Sequence, residues 1–127
     1  MKKEIIVPKK LGPPVAPYSH GVKIGNLIFT AGTGPFDSEG KLIEGDIKEQ
    51  TRQVLENLKD IIETGGGTLS DIVQVQIWIL SWDDYPGMNE VYREYFPTDP
   101  PPRATVQVAG LWGGLLVEIM VTAVRPE

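Results

Sequence analysis

Arg103 and Glu118 are the two side chains whose type and setting in the sequence point most directly to chemistry. Arg103 follows Pro100-Pro101-Pro102, whose fixed φ angles deliver the next residue in a nearly preset direction. A guanidinium stays charged at any working pH and can bind a carboxylate through two parallel hydrogen bonds. We therefore interpret Arg103 as the anchor for the carboxylate of a small organic acid. An ordinary surface arginine and a proline-rich recognition peptide are the alternatives.

Glu118 is unusual because it interrupts an apolar run from Leu115 to Val121. Burying a carboxylate without a partner is costly, so this position needs a physical explanation. The structural explanations are a glutamate that faces the edge of the sheet or an ion pair with Arg103. The functional explanation is a carboxylate that holds or activates a water molecule. The residues alone leave these explanations open.

Three loop features are weaker candidates for a site. His20 is either a general base or a hydrogen-bonding surface residue. Tyr18 follows a proline and is a candidate for lining a site. Gly32-Thr33-Gly34-Pro35 allows close approach of the backbone to a ligand, but it lacks the third glycine and the following helix of a dinucleotide-binding motif. A nucleotide cofactor is therefore not expected.

Composition limits the classes of function. A chain of 127 residues with 41% hydrophobic and 23% charged residues predicts one soluble globular domain over residues 1–127. With no cysteine and one histidine, we expect no disulfide, no thiolate nucleophile and no metal site. The net charge of −5 and the lack of a basic patch disfavour a nucleic-acid partner.

No segment of the sequence predicts a membrane contact. The apolar run that contains Glu118 is far shorter than the roughly 20 residues that span a bilayer. The first residues, Met1-Lys2-Lys3-Glu4, do not open the apolar region of a signal peptide. We therefore expect a cytoplasmic protein.

Hydrophobic patterns predict an α+β domain with the element order β, ββ, α, β, α, ββ. Gly25-Asn26 is expected to supply positive φ angles to a hairpin turn, and the glycines at 65–67 to stop the first helix. Asp83-Asp84 is expected to cap the second helix, and Pro97 to end it. The predicted strands are 4–7, 21–24, 27–31, 72–80, 104–108 and 115–124, and the predicted helices are 46–64 and 85–95.

Two helices can cover only one face of such a sheet. Residues 27–29 and most of 115–121 are nevertheless apolar at consecutive positions, which places apolar side chains on both faces. A second copy of the chain is the economical cover for the other face. We therefore expect a closed ring of subunits with sites between them.

Several segments together make the chain resemble the Rid family (YjgF/YER057c/UK114) of enamine/imine deaminases, over nearly its whole length. The proline-arginine-small-Thr-Val segment and the later Val-Glu-Ile strand are the most diagnostic. The matching segments are Ala16-Pro17-Tyr18-Ser19, Ala31-Gly32, Asn89-Glu90-Val91-Tyr92, Tyr95-Phe96, Pro102-Arg103-Ala104-Thr105-Val106 and Val117-Glu118-Ile119.

This resemblance implies a chorismate-mutase-like fold, a mixed sheet with two helices on one face, assembled as a homotrimer with clefts between subunits and without a cofactor. The implied activity is hydrolysis of 2-imino acids, the tautomers of enamines such as 2-aminoacrylate, to 2-keto acids and ammonia. Arg103 would clamp the substrate carboxylate. Glu118 would position water rather than donate a proton, because an adjacent arginine lowers a carboxyl pKa. The other implied cleft residues are Tyr18, Ala31, Gly32, Asn89 and Thr105.

The sequence departs from the best-known deaminase branch along the cleft walls. Ala31-Gly32-Thr33 stands where many members read Ser-Gly-Gln, and Thr105 where they often carry Cys. Gly110 replaces a frequent Arg, and His20 a frequent Gln. These changes leave open a non-catalytic trimer that binds a 2-keto acid or an amino acid. An RNA-directed activity, suggested by older family names, is opposed by the net charge; salt-dependent RNA binding would revive it.

Overall fold

The computed structural model describes residues 1–126 and contains six strands and two α-helices in the predicted chain order. One mixed sheet has the strand order β1-β2-β3-β6-β4-β5; its neighbours are antiparallel except for the parallel pair β4 and β5. The strands are β1 Glu4–Ile6, β2 Gly21–Ile24, β3 Leu27–Thr30, β4 Ile72–Ile79, β5 Arg103–Gln107 and β6 Val117–Val124; the helices are α1 Ile47–Thr64 and α2 Tyr85–Tyr95.

Helix α1 forms where apolar residues recur at the helical period, and its start is fixed by a capping box. The Asp46 carboxylate accepts from the backbone N–H of Glu49 at 3.0 Å, and the Glu49 carboxylate accepts from the backbone N–H of Asp46 at 3.4 Å. The helix ends at Thr64, and the Gly65 N–H bonds back to the Ile61 carbonyl. The predicted glycine stop is confirmed.

Helix α2 has its predicted bounds, but its predicted cap is wrong. Asp83 and Asp84 lie in a short 3-10 segment, Trp82–Asp84, and the Asp84 side chain makes no capping hydrogen bond. Ser81 caps that segment instead, because its hydroxyl accepts from the Asp83 N–H at 3.1 Å. Pro97 follows Phe96 and ends the helix as predicted, and a proline also occupies the first turn of α2.

Six strand boundaries and one turn differ from the sequence predictions. The turn after β2 uses positive φ at Gly25 only (58°), as when glycine holds the first central position of a hairpin turn; Asn26 does not share it. β1, β3, β4 and β5 each end one residue early, and β5 also begins one residue early, at Arg103. β6 begins at Val117 rather than Leu115, because Gly113 and Gly114 turn the chain through positive φ angles just before it.

One face of the sheet is covered by the helices and the other is open. Along β6 the residues facing the helices are buried, and the alternate residues are partly or largely exposed. The fully covered side chains include Ile119 and Ala123, whereas Met120 on the opposite face is 40% exposed. Phe29 and Val106 are also exposed large apolar residues. The prediction that two helices cover one face of a mixed sheet is confirmed.

Candidate functional site

The guanidinium of Arg103 lies in a cradle formed by helix α2. Its Nη2 donates to Asn89 Oδ1 at 2.5 Å and to the Tyr85 hydroxyl at 3.1 Å. Its central carbon lies 4.7 Å from the ring centroid of Tyr92 and 5.7 Å from that of Tyr85. Such stacking orients a planar cation without neutralising it. Within residues 1–126 no carboxylate forms an ion pair with Arg103.

The two tyrosines around this cation have shifted pKa values, and two hydroxyls beside it lack a hydrogen-bond partner within the described residues. The hydrogen bond to Asn89, followed by the charge of Arg103, lowers the pKa of Tyr85. Burial raises the pKa of Tyr92, and Arg103 opposes that rise. The hydroxyls of Tyr92 and Thr105 are both buried without a hydrogen-bond partner within the described residues. The cradle therefore combines a cation that has no carboxylate partner within residues 1–126 with two unpaired hydroxyls, that of Thr105 on the same strand and that of Tyr92 on α2.

The carboxylate of Glu118 lies beside the backbone of Gly32. A Cβ atom added at Gly32 would lie 2.9 Å from Glu118 Oε2, so only glycine fits this contact without displacing the carboxylate. Thr33 holds the segment in place, since it exchanges backbone hydrogen bonds of 2.8 and 3.1 Å with Ile119 on β6. Burial raises the pKa of Glu118. A partly desolvated carboxylate of this kind is a stronger base than an exposed glutamate.

Glu118 borders a cavity of about 510 Å³ whose other walls are mostly apolar. Tyr18, Ala31 and Gly32, all implied by the resemblance, line this cavity together with Glu118. Phe36 and the exposed Trp112 add aromatic surface. The cavity thus brings together four of the expected cleft residues.

The segment that carries Tyr18 is fixed by two structural contacts. The Asp60 carboxylate of α1 accepts backbone N–H groups from residues 9–11 at 2.9 to 3.2 Å. Nε2 of His20 lies 2.7 Å from the Gly12 carbonyl oxygen, and the Tyr18 ring packs edge-on against the imidazole at 6.1 Å. His20 is engaged in holding this loop, which favours its structural interpretation over a general base.

Arg103 and Glu118 lie on opposite faces of the sheet. Arg103 is paired across strand β4 with Val75, and Glu118 with Trp78. Side chains alternate along a strand, so partners of positions three apart point to opposite sides. Arg103 accordingly contacts helix α2, whereas Glu118 faces the uncovered side. Within one chain, the ion pair considered between Arg103 and Glu118 does not form. The lowered Glu118 pKa expected from an adjacent arginine is therefore also wrong within one chain.

The expected residues therefore form two separate groups in one chain. Arg103, Asn89 and Thr105 belong to the helix-covered side, and Glu118 with its cavity belongs to the open side. Sequence reasoning missed that Tyr85 and Tyr92 hold Arg103. A signal was present, because Tyr85, Asn89 and Tyr92 are spaced i, i+4, i+7 and so share one helix face.

Comparison with known proteins identifies the class. The family described as Endoribonuclease L-PSP, the YjgF/Rid family, matches residues 9–125, and the chain belongs to this family. It is 44% identical over 126 residues to a RutC family protein of Pyrococcus abyssi, which covers 98% of this chain and 99% of the relative. It is 41% identical over 124 residues to the 3-aminoacrylate deaminase RutC of Acinetobacter baylyi, covering 97% and 98%.

Solved structures show the same fold. The crystal structure of E. coli TdcF with bound serine superposes with a TM-score of 0.91 at 34% identity, covering 97% of this chain and 99% of TdcF. The six-stranded mixed sheet with two helices is therefore the architecture of this family. Within residues 1–126 no helix combines the length and apolar composition required to cross a membrane, and no three acidic, histidine or cysteine side chains group as metal ligands.

Proposed function

We propose that the protein is a hydrolytic deaminase that converts 2-imino acids, and the enamines that are their tautomers, to 2-keto acids and ammonia. The observation that carries the proposal is the cradled Arg103 guanidinium, which is oriented by three side chains of α2 and has no carboxylate partner among residues 1–126. An unpaired, oriented cation of this kind suits the carboxylate of a small acid. The 3-aminoacrylate deaminase among the relatives supports the reaction class.

The reactive site is built from two copies of the chain. Arg103 of one copy and Glu118 of another can meet on one substrate, whereas within one chain the sheet separates them. The open sheet face carries exposed Phe29, Val106 and Met120, an apolar surface that a second copy would bury. A homotrimer with clefts between its subunits satisfies both requirements.

The reaction requires only orientation, water and proton transfer. Arg103 binds the substrate carboxylate and fixes the plane of the adjacent C=N bond, with the Thr105 hydroxyl and Asn89 close to the carboxylate end. Glu118 orients a water molecule toward the imine carbon and takes one of its protons as the C–O bond forms. That proton passes to the nitrogen, which gives a carbinolamine with a hydroxyl and an amino group on the same carbon. Glu118 then takes the hydroxyl proton and delivers it to the nitrogen as the C=O bond forms and the C–N bond breaks, so ammonia leaves and the carbonyl oxygen of the keto acid comes from water.

A carboxylate-binding trimer without turnover is the second candidate. The serine in the TdcF structure favours it, because serine carries the same carboxylate group as an imino acid and is bound there as a ligand. Such a protein would retain the Arg103 cradle and bind 2-keto acids or amino acids without accelerating hydrolysis.

The test generates 2-imino acids in place with an amino-acid oxidase and measures keto-acid release with and without the protein. Wild type should accelerate release above the uncatalysed rate. Arg103→Ala and Arg103→Lys should lower kcat/KM by roughly 100-fold, because an ammonium neither stacks on the tyrosines nor offers the planar set of donors. Arg93→Ala, an exposed arginine on the same helix, is the matched control. Equal release with and without wild type would rule out the enzyme and leave the binding protein.

A further inference from the structure

The cavity beside Glu118 is larger and more apolar than a small imino acid requires. Its volume is about 510 Å³, enough for far more than a methyl group. Its apolar lining includes Tyr18, Phe36, Trp112 and Leu115, and within residues 1–126 Glu118 is the only charged side chain that lines it. A pocket with apolar walls and one carboxylate at its edge favours an uncharged, apolar group.

Trp112 is the most exposed aromatic residue at this cavity. Its side chain is 70% exposed, and its ring lies 6.3 Å from that of Phe36 at a tilt of 41°. The following Gly113 and Gly114 have φ angles of 70° and 83°, and a Cβ added at either would meet no heavy atom within 4 Å. The indole thus borders the cavity on a glycine-rich segment, and its apolar surface is available to a ligand.

We infer that this cavity receives the side chain of the substrate, that Trp112 sets a preference for large aromatic or apolar 2-imino acids, and that Glu118 excludes acidic ones. The inference rests on the proposed function and names its substrate class. The carboxylate of the substrate belongs on Arg103 of another copy, and no cation lines the cavity to hold it there. With the reacting carbon beside Glu118, the remaining substituent of that carbon is the side chain, and it extends along Phe36 and Trp112.

The kinetic test compares imines generated from alanine, leucine and phenylalanine. Wild type should use the phenylalanine-derived imine with a kcat/KM roughly tenfold above that of the alanine-derived one, because apolar burial in a pocket discriminates on that scale. Trp112→Ala should remove this preference, because it should lower kcat/KM for the phenylalanine-derived imine far more than for the alanine-derived one. Trp112→Phe should retain most of it. Val73→Ala, an exposed apolar residue that does not line the cavity, is the control.

A binding measurement keeps this inference separate from catalysis. Calorimetric titration with phenylpyruvate and pyruvate, the corresponding products, should give tighter binding of phenylpyruvate in wild type and similar binding of both in Trp112→Ala. If no imine is hydrolysed, the proposed function is wrong, but this titration still shows whether the cavity prefers a large apolar side chain. Equal affinity for the two keto acids in wild type, or a preference that survives Trp112→Ala, would overturn the inference.

Discussion

Arg103 and Glu118 are carried by strands that both neighbour β4, yet their side chains leave the sheet on opposite faces. The cation is turned toward helix α2, and the carboxylate is turned toward the open face beside Gly32. Within one chain the Arg103 and Glu118 side chains therefore do not meet. In the proposed function the assembly of copies is therefore part of the chemistry, with Arg103 of a neighbouring copy placed opposite Glu118.

The pKa of Glu118 reports whether that neighbour is present. Burial raises this pKa within one chain, so the carboxyl stays protonated to higher pH than an exposed glutamate. A guanidinium placed opposite it in the assembly lowers the pKa again. Arg103→Gln should therefore raise the Glu118 pKa above its wild-type value, as read from a ¹³C NMR titration of the carboxyl carbon. Arg93→Gln should leave it unchanged, and an unchanged value in Arg103→Gln would place Arg103 away from Glu118.

Gly32→Ala should impair activity without unfolding the protein. The new methyl group would lie 2.9 Å from Oε2 and 3.1 Å from Cδ of Glu118, so the end of this flexible side chain must move. A misplacement near 1 Å at a reacting group costs up to roughly 100-fold in rate, and we expect a loss of kcat/KM between about 10-fold and 100-fold. Thermal unfolding should be nearly unchanged.

Gly110→Ala is the control for that substitution, since its added Cβ meets no heavy atom within 4 Å. It should retain wild-type activity. A fully active Gly32→Ala would mean that the position of the Glu118 carboxylate does not limit the reaction.

Tyr85 and Tyr92 make different contacts with the same cation, so removing their hydroxyls separates two roles. Tyr85→Phe removes an acceptor of Arg103 Nη2 and should raise KM roughly fivefold with a smaller effect on kcat, because substrate binding loses an oriented anchor. Tyr92→Phe removes a hydroxyl that has no hydrogen-bond partner among residues 1–126 and should leave both KM and the free energy of unfolding nearly unchanged. Steady-state kinetics and denaturant unfolding of the two variants measure this difference. Identical KM values would show that the Tyr85 hydroxyl does not position Arg103.

Much of the fold could be predicted because its signals are local. The apolar period of α1 and the proline after α2 each act within a few residues, and both elements formed as expected. The start of β6 could not be read from the apolar run, because Leu115 is buried in a loop after two left-handed glycines. In the sequence, an apolar residue that is buried in a loop cannot be distinguished from one that is buried in a strand.

The candidate site was predictable in its residues but not in its geometry. The prolines mark Arg103, but which face receives its side chain depends on the register between β5 and β4, a contact between residues 28 positions apart. Trp112 escaped notice because a single exposed aromatic residue in a glycine-rich loop has no periodic pattern. The family pattern implied a role for Glu118, but only the pairing of β6 with β4 shows which face of the sheet carries its side chain.

Mixing two inactive variants tests the two-copy site most directly. Arg103→Ala and Glu118→Gln should each lose imine hydrolysis, because each lacks one half of every cleft. When the two are unfolded together in equal amounts and refolded, random trimers should contain intact clefts at about one in four interfaces. We therefore expect recovery of roughly a quarter of the wild-type activity. Mixed trimers that form, as shown by two different affinity tags, but recover no activity would contradict a site shared between copies.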